Sequence, residues 1–257
     1  MFIRNSILAF SLATGITAAT SAQAATVDTL LSLVIDVSGS IDANEYNLQM
    51  QGYINAFKDT DIQNSIVDKS NGREGAIAVN VVQFGSTAAE MLAFTVLDTI
   101  QAVSDFADSI AGITRKESGL TNIADGVNVA SSTISTWLND PNNSAGRVVM
   151  DVSGDGTANT GGSVTTARDA ALAGDVDVIN AIAIQSTSLQ SYFDNNLVGG
   201  TGSFSLFASD FDTFDDAIKR KLKTEITGGQ IPLPAGAWLM LTGIAGLGVA
   251  RRRKTKS

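Results

Sequence analysis

Apolar runs and helical spacings alternate along the chain from about residue 30 to about residue 226, which predicts an α/β fold. Leu30 to Asp36 (LLSLVID) is nearly continuous in apolar residues, as expected of a strand buried on both faces. Glu45 to Phe57 carries Tyr46, Met50, Tyr53 and Phe57 at i, i+4, i+7 and i+11, one face of a helix. Ala76 to Phe84 reads as a second strand and Met91 to Thr95 as a short third. The six residues between them are too few for a helical crossover, so the two should form an antiparallel hairpin at the sheet edge. Helices are predicted over Thr99 to Ile110 and Thr121 to Trp137, then a strand over Arg147 to Val152 and a helix over Val164 to Ala173. Val176 to Ile184 is a further strand, Phe204 to Ala208 a last short one, and Asp212 to Ile226 an amphipathic helix ending near Gly228-Gly229.

Repeated strand–helix units with one antiparallel hairpin predict a doubly wound, mostly parallel sheet with one antiparallel edge strand and helices on both faces. Ligands of such sheets sit beyond the carboxyl ends of the strands. The tetrapeptide Asp-Val-Ser-Gly occurs at Asp36 and again at Asp151, each where a strand runs into a loop. Both therefore fall at the functional edge.

The two ends read differently from the middle. Arg4, an apolar run from Ile7 to Ala19, and Ala22-Gln23-Ala24 have the order of a secretory signal peptide cleaved after Ala24. At the other end Ile231-Pro232-Leu233-Pro234 precedes an uncharged stretch from Ala235 to Ala250 and then Arg251, Arg252, Arg253 and Lys254. As a helix those sixteen residues span about 24 Å, slightly short of a hydrocarbon core, and the basic cluster should stay cytoplasmic. The expected organisation is a signal peptide over 1–24, one domain over 25–230, and a sorting or anchoring segment over 231–257.

Charge sharpens this picture. Six of the 17 bases lie in the end segments (Arg4, Arg251, Arg252, Arg253, Lys254 and Lys256), leaving 11 against all 26 acids, a net charge of −15 over residues 25–230. So acidic a domain repels nucleic acid and anionic membrane surfaces, and suits a cation. The chain has no cysteine and no histidine. That excludes disulfides, thiolate and imidazole metal sites, and Ser-His-Asp or Cys-His catalysis. Any metal must be a hard ion on oxygen ligands: magnesium, calcium or manganese. An enzyme working through metal or paired carboxylates is not excluded by composition, but carboxylate and lysine are the only side-chain bases left to it.

Candidate ligands follow the predicted strands. Asp36, Ser38 and Ser40 (D-x-S-x-S) stand at the end of the first strand, where a turn at Gly39 can bring an acid and two hydroxyls to one point. Read plainly, the same serines could cap a helix. Thr121, in Gly119-Leu120-Thr121-Asn122-Ile123, starts a helix and could be its N-cap; Ser153-Gly154-Asp155-Gly156 could be an ordinary turn. Val198 to Gly202 is glycine-rich but lacks the setting of a phosphate loop and reads as a turn before the last strand. Lys219, Arg220, Lys221 and Lys223 read as a solvated basic face near a helix C-terminus.

Together the three segments resemble the metal-ion-dependent adhesion site of von Willebrand factor A domains. More closely, Thr29 to Thr227 resembles an uncharacterised family of exported von Willebrand A-like proteins of Gram-negative bacteria. The stretches that carry this are VIDVSGSIDANEYNLQMQGY, GLTNIADGV, RVVMDVSGDGTANTGG, INAIAI and AIKRKLKTEI. The resemblance implies direct metal ligation by Ser38 and Ser40, ligation by Thr121 directly or through water, and ligation by Asp36 and Asp155 mainly through water. The superfamily's last segment usually reads Thr-Asp-Gly; here Asp155 precedes Gly156, and Asp151 is the alternative. The resemblance also implies a magnesium ion (or calcium or manganese) completed by an aspartate or glutamate of a protein ligand, as in cell adhesion, coupled in related domains to a shift of the last helix. The PLPA-apolar-RRRK tail resembles the VPLPA-CTERM sorting signal that accompanies exosortase-type processing, with a plain membrane anchor as the alternative. The chain is thus expected to be exported to the envelope, surface or medium, held first at the inner membrane, and to bind rather than catalyse. A metal-rigidified structural surface component is the other non-enzymatic reading.

Overall fold

The computed structural model describes residues 25–228. The signal-peptide reading of 1–24 and the anchor and sorting readings of 231–257 lie outside the described residues. Among the described residues no helix is long and apolar enough to cross a membrane.

The strands are β1 (Ala25–Val27), β2 (Thr29–Asp36), β3 (Ile77–Phe84), β4 (Ala88–Leu97), β5 (Asn143–Ala145), β6 (Val148–Gly154), β7 (Val178–Ile184), β8 (Gly199–Gly200) and β9 (Ser205–Ala208). The helices are α1 (Ala43–Lys58), α2 (Thr60–Ile66), α3 (Ile100–Ala111), α4 (Ile123–Leu138), α5 (Val164–Ala173), α6 (Thr187–Asn196) and α7 (Phe214–Thr227). The main sheet runs β4-β3-β2-β6-β7, and the outer edge of β7 pairs with both β8 and β9. β4 and β8 are antiparallel to their neighbours and the other pairings are parallel. β1 and β5 form a separate small parallel pair.

Every residue of β2, β3, β6 and β7 is buried, which is why these strands are nearly continuous in apolar residues. Alternate side chains feed two cores. Leu31, Leu33 and Ile35 of β2 pack with α1, α2, α3 and α7, while Leu30 and Val34 pack with α4, α5 and α6. From β2 the chain crosses first to β3 on one side and later to β6 on the other. The carboxyl ends of β2 and β6 therefore flank the point where strand order reverses, the usual place for a ligand crevice.

Several boundaries differ from the sequence expectations. β4 runs ten residues, not five: it extends three residues before Met91 and two after Thr95, and as an edge strand it is fully buried only at Leu97. α2 and α6 are not evident from periodicity. Each is short and polar, held by an N-cap (Asp59 and Ser186) and by few buried residues, Leu189 and Phe193 in α6. Lys221 is not on a solvated face. It lies on the inner side of α7, fully buried, 2.6 Å from both Asp151 Oδ1 and Glu225 Oε1. The i,i+4 step to Glu225 and the facing Asp151 draw it inward, against the expectation from a basic run.

Candidate metal centre

Asp36 is the last residue of β2, and the chain turns immediately after it. Its Oδ1 accepts the Ser38 N–H at 2.8 Å, and the loop then passes into α1. There Asp42 and Glu45 form a reciprocal capping box. The loop is gripped from two sides. Gly39 N–H donates to Gly119 O at 2.7 Å, joining it to the segment that carries Thr121. Arg115 Nη2 donates to the carbonyls of Val37, Ser38 and Ile41, each at 2.8 Å, while its guanidinium lies over the Tyr46 ring. Sequence alone gives no sign of Arg115, because its partners are main-chain carbonyls some seventy-five residues away.

Thr121 is not the cap of α4. Asn122 takes that role, its side chain accepting from Asp125 N–H at 3.2 Å, so the Thr121 hydroxyl is left to the site. Asn159 clasps the Thr121 backbone on both sides: its Oδ1 accepts Thr121 N–H at 2.8 Å and its own N–H donates to Thr121 O at 3.1 Å. Asn159 is a second positioning residue without a sequence signal.

The result is a run of four oxygens drawn from three distant stretches. Thr121 Oγ1 lies 3.1 Å from Ser38 Oγ, Ser38 Oγ lies 3.3 Å from Ser40 Oγ, and Ser40 Oγ donates to Asp155 Oδ1 at 2.7 Å. Beneath them Asp36 Oδ2 is buried without a hydrogen-bond partner. Gly154 lies so close that a Cβ there would sit 2.9 Å from that oxygen. The structure thus brings Asp36, Ser38, Ser40, Thr121 and Asp155 together. It does not bring Asp151, whose side chain lies in the buried group with Lys221.

Electrostatics point the same way. Burial pushes the Asp36 carboxyl up to about 7, and burial likewise raises Asp155. The Ser38 hydrogen bonds and the Arg115 charge offset only part of the rise at Asp36. A buried carboxylate oxygen with no partner needs a proton or a cation. Around a cation with oxygens at 2.0–2.1 Å in an octahedron, adjacent ligands are about 3.0 Å apart, against about 3.4 Å for a calcium-sized ion. The hydroxyl spacings of 3.1 and 3.3 Å fall between these two values, so the donor set suits a hard divalent cation of this size range. Among the described residues no three carboxylates converge, so such a cation would rest largely on neutral hydroxyls.

Solved structures share the fold. Proximal thread matrix protein 1 from the mussel byssus matches at 21% identity with a TM-score of 0.58, covering 77% of this chain and 46% of that one. A form of the same protein with a zinc-occupied MIDAS (metal-ion-dependent adhesion site) motif matches at 19% and 0.57, covering 78% and 46%. The pilus adhesin SpaC of Lactobacillus rhamnosus GG, in its open conformation, matches at 13% and 0.55, covering 79% and 30%. The chain thus spans less than half the length of these proteins, and the likeness is one of fold: a mostly parallel sheet with helices on both faces. No functionally curated protein matches the sequence. Residues 26–230 match the family described as "Protein of unknown function (DUF1194)", and the chain belongs to that family.

Proposed function

We propose that residues 25–230 are an exported binding module that holds one divalent cation through Ser38, Ser40, Thr121, Asp36 and Asp155 and captures an acidic group of a protein ligand. The observation that carries this reading is the run of four oxygens, from Asp155 to Thr121, over the partnerless carboxylate oxygen of Asp36. Ser38, Ser40 and Thr121 are neutral donors, and Asp36 and Asp155 would reach the ion mainly through water, so its charge would be little offset by direct contacts. When bound, the cation supplies a positive coordination position that an aspartate or glutamate from another molecule can complete. Arg115 and Asn159 hold the loops so that the hydroxyls need not be reordered on binding.

The all-oxygen donor set suits magnesium, manganese or calcium. The zinc-occupied motif of the mussel protein and the adhesin role of SpaC support a metal-dependent binding role, in which this domain is not an enzyme. Export rests on the signal-like 1–24 segment. Initial retention at the inner membrane and exosortase-type processing rest on the PLPA-containing tail.

Calorimetric titration of magnesium or manganese into chelator-stripped protein tests the site. Ser38→Ala and Asp155→Ala should each weaken binding by about 100-fold, the upper end for losing a supporting group around a metal, with folding retained by circular dichroism. Wild-type affinity in both variants sinks the assignment. Capture from envelope extract that requires the cation supports the binding role. Sharp loss of thermal stability on chelation, with nothing captured, supports a structural site instead, and turnover of esters, phosphates or glycosides dependent on these residues supports an enzyme.

A further inference from the structure

Beside the hydroxyl cluster, on the α5 and α6 side, lies an open cavity of about 430 Å³. Its walls are the β6–α5 loop from Ala158 to Ser163, the start of α5 at Val164 and Thr165, and two side chains of α6, Tyr192 and Asn196. Asn159 is shared: one side of it clasps the Thr121 backbone, the other lines the cavity. The loop is seated closely on the start of α4. Gly161 has φ 82°, and a Cβ there would collide with the Asn122 amide, so only glycine lets the wall sit where it does.

The lining carries no charged side chain, although the domain around it is strongly acidic. Arg168, nearby on α5, is committed to Asp169 and to Asn195 O. An anion would find only the N-terminus of α5, with no cationic side chain beside it, and a mainly apolar ligand would strand the polar walls. What the walls offer is mixed neutral hydrogen bonding. Asn159 spends its carbonyl oxygen on Thr121 and keeps its NH₂ as a donor, while Asn196 spends its NH₂ on Tyr192 O at 2.8 Å and keeps its carbonyl oxygen as an acceptor. Thr160 and Tyr192 add hydroxyls, and the half-buried Tyr192 ring adds an apolar face.

A ligand whose groups both donate and accept, with a C–H face to lie against an aromatic ring, is a sugar. We propose that this cavity binds a neutral glycan unit, and that it does so without the cation. The domain then has two adjacent recognition sites, one for an acidic group and one for carbohydrate. The second rests on observations separate from those behind the metal reading.

Saturation-transfer NMR with glucose, galactose, N-acetylglucosamine and their β1–4 dimers tests this, with glucuronate and inorganic phosphate as charged probes. Millimolar affinity is expected for so small a ligand on an open site. Binding of at least one neutral sugar should persist with chelator and in Ser38→Ala. It should fall roughly tenfold in Tyr192→Ala and vanish in Thr160→Arg, which places a charged arm in the cavity. Tyr192→Phe, which keeps the ring and the fold, should retain most of it. The proposal is overturned if no neutral sugar binds, if binding survives both Tyr192→Ala and Thr160→Arg, or if a charged probe is preferred. Loss with chelator also overturns it, since the sugar would then sit on the cation. The metal titration of Ser38→Ala is read separately, so either assignment can fail alone.

Discussion

Replacing Lys221 with methionine keeps most of the length of the side chain but removes a charge from the interior, and the structure sets the expected cost. Lys221, Asp151 and Glu225 are essentially without solvent exposure. Neither oxygen of Asp151 takes a hydrogen bond, so its charge contact with Lys221 Nζ at 2.6 Å is what compensates that carboxylate. Glu225 is raised to about 8, first by burial and then by the charge of Asp151, and is therefore largely protonated at neutral pH. One negative and one positive charge remain, and they balance. Removing one partner of a buried pair costs about 3–5 kcal/mol because the other is left uncompensated. For a domain of this size that lowers the melting temperature by roughly 10 °C, at about 2–4 °C per kcal/mol. The double variant Lys221→Met/Asp151→Asn removes both charges and should recover most of the loss. Chemical denaturation of the wild type, the two single variants and the double variant at pH 7.5 measures the coupling, expected to exceed about 2 kcal/mol. A loss below about 1 kcal/mol in Lys221→Met, or a double variant no more stable than that single one, refutes the compensation argument.

Glu225 also predicts a pH dependence. Its folded-state pKa lies above its unfolded value near 4.5, so the folded chain binds more protons between those limits. The contribution of Glu225 to stability should therefore decline as pH rises from about 4.5 to about 8 and level off above. Asp36 acts in the same sense through about 7 in the metal-free protein, so Glu225→Gln should reduce the slope without abolishing it, most clearly above pH 7; an unchanged slope there would count against it. Arg115→Met, which strips the hydrogen bonds from three loop carbonyls, should cost about 2–4 kcal/mol and weaken magnesium binding in titration. Unchanged affinity would mean that the loop holds itself. Asp42→Ala removes the side-chain half of the α1 capping box and should lower stability by about 1 kcal/mol in urea melts, with metal affinity largely kept.

The sequence alone determined the elements whose signal is local. Continuous burial of β2, β3, β6 and β7 writes itself as apolar runs, and α1 is legible from its repeating apolar face. The candidates Asp36, Ser38, Ser40, Thr121 and Asp155 could be named too, because each falls near a strand end or a helix start, and the structure places them side by side. Tertiary structure alone decided what those signals cannot carry. Asp155 rather than Asp151 reaches the hydroxyls because β6 turns Asp151 inward to Lys221, a pairing across seventy residues that no local pattern encodes. Asn122 rather than Thr121 caps α4, freeing one hydroxyl, and Arg115 and Asn159 join the site through main-chain atoms that look alike in every sequence. Periodicity records which face of an element is buried; it does not record which distant group that face will meet.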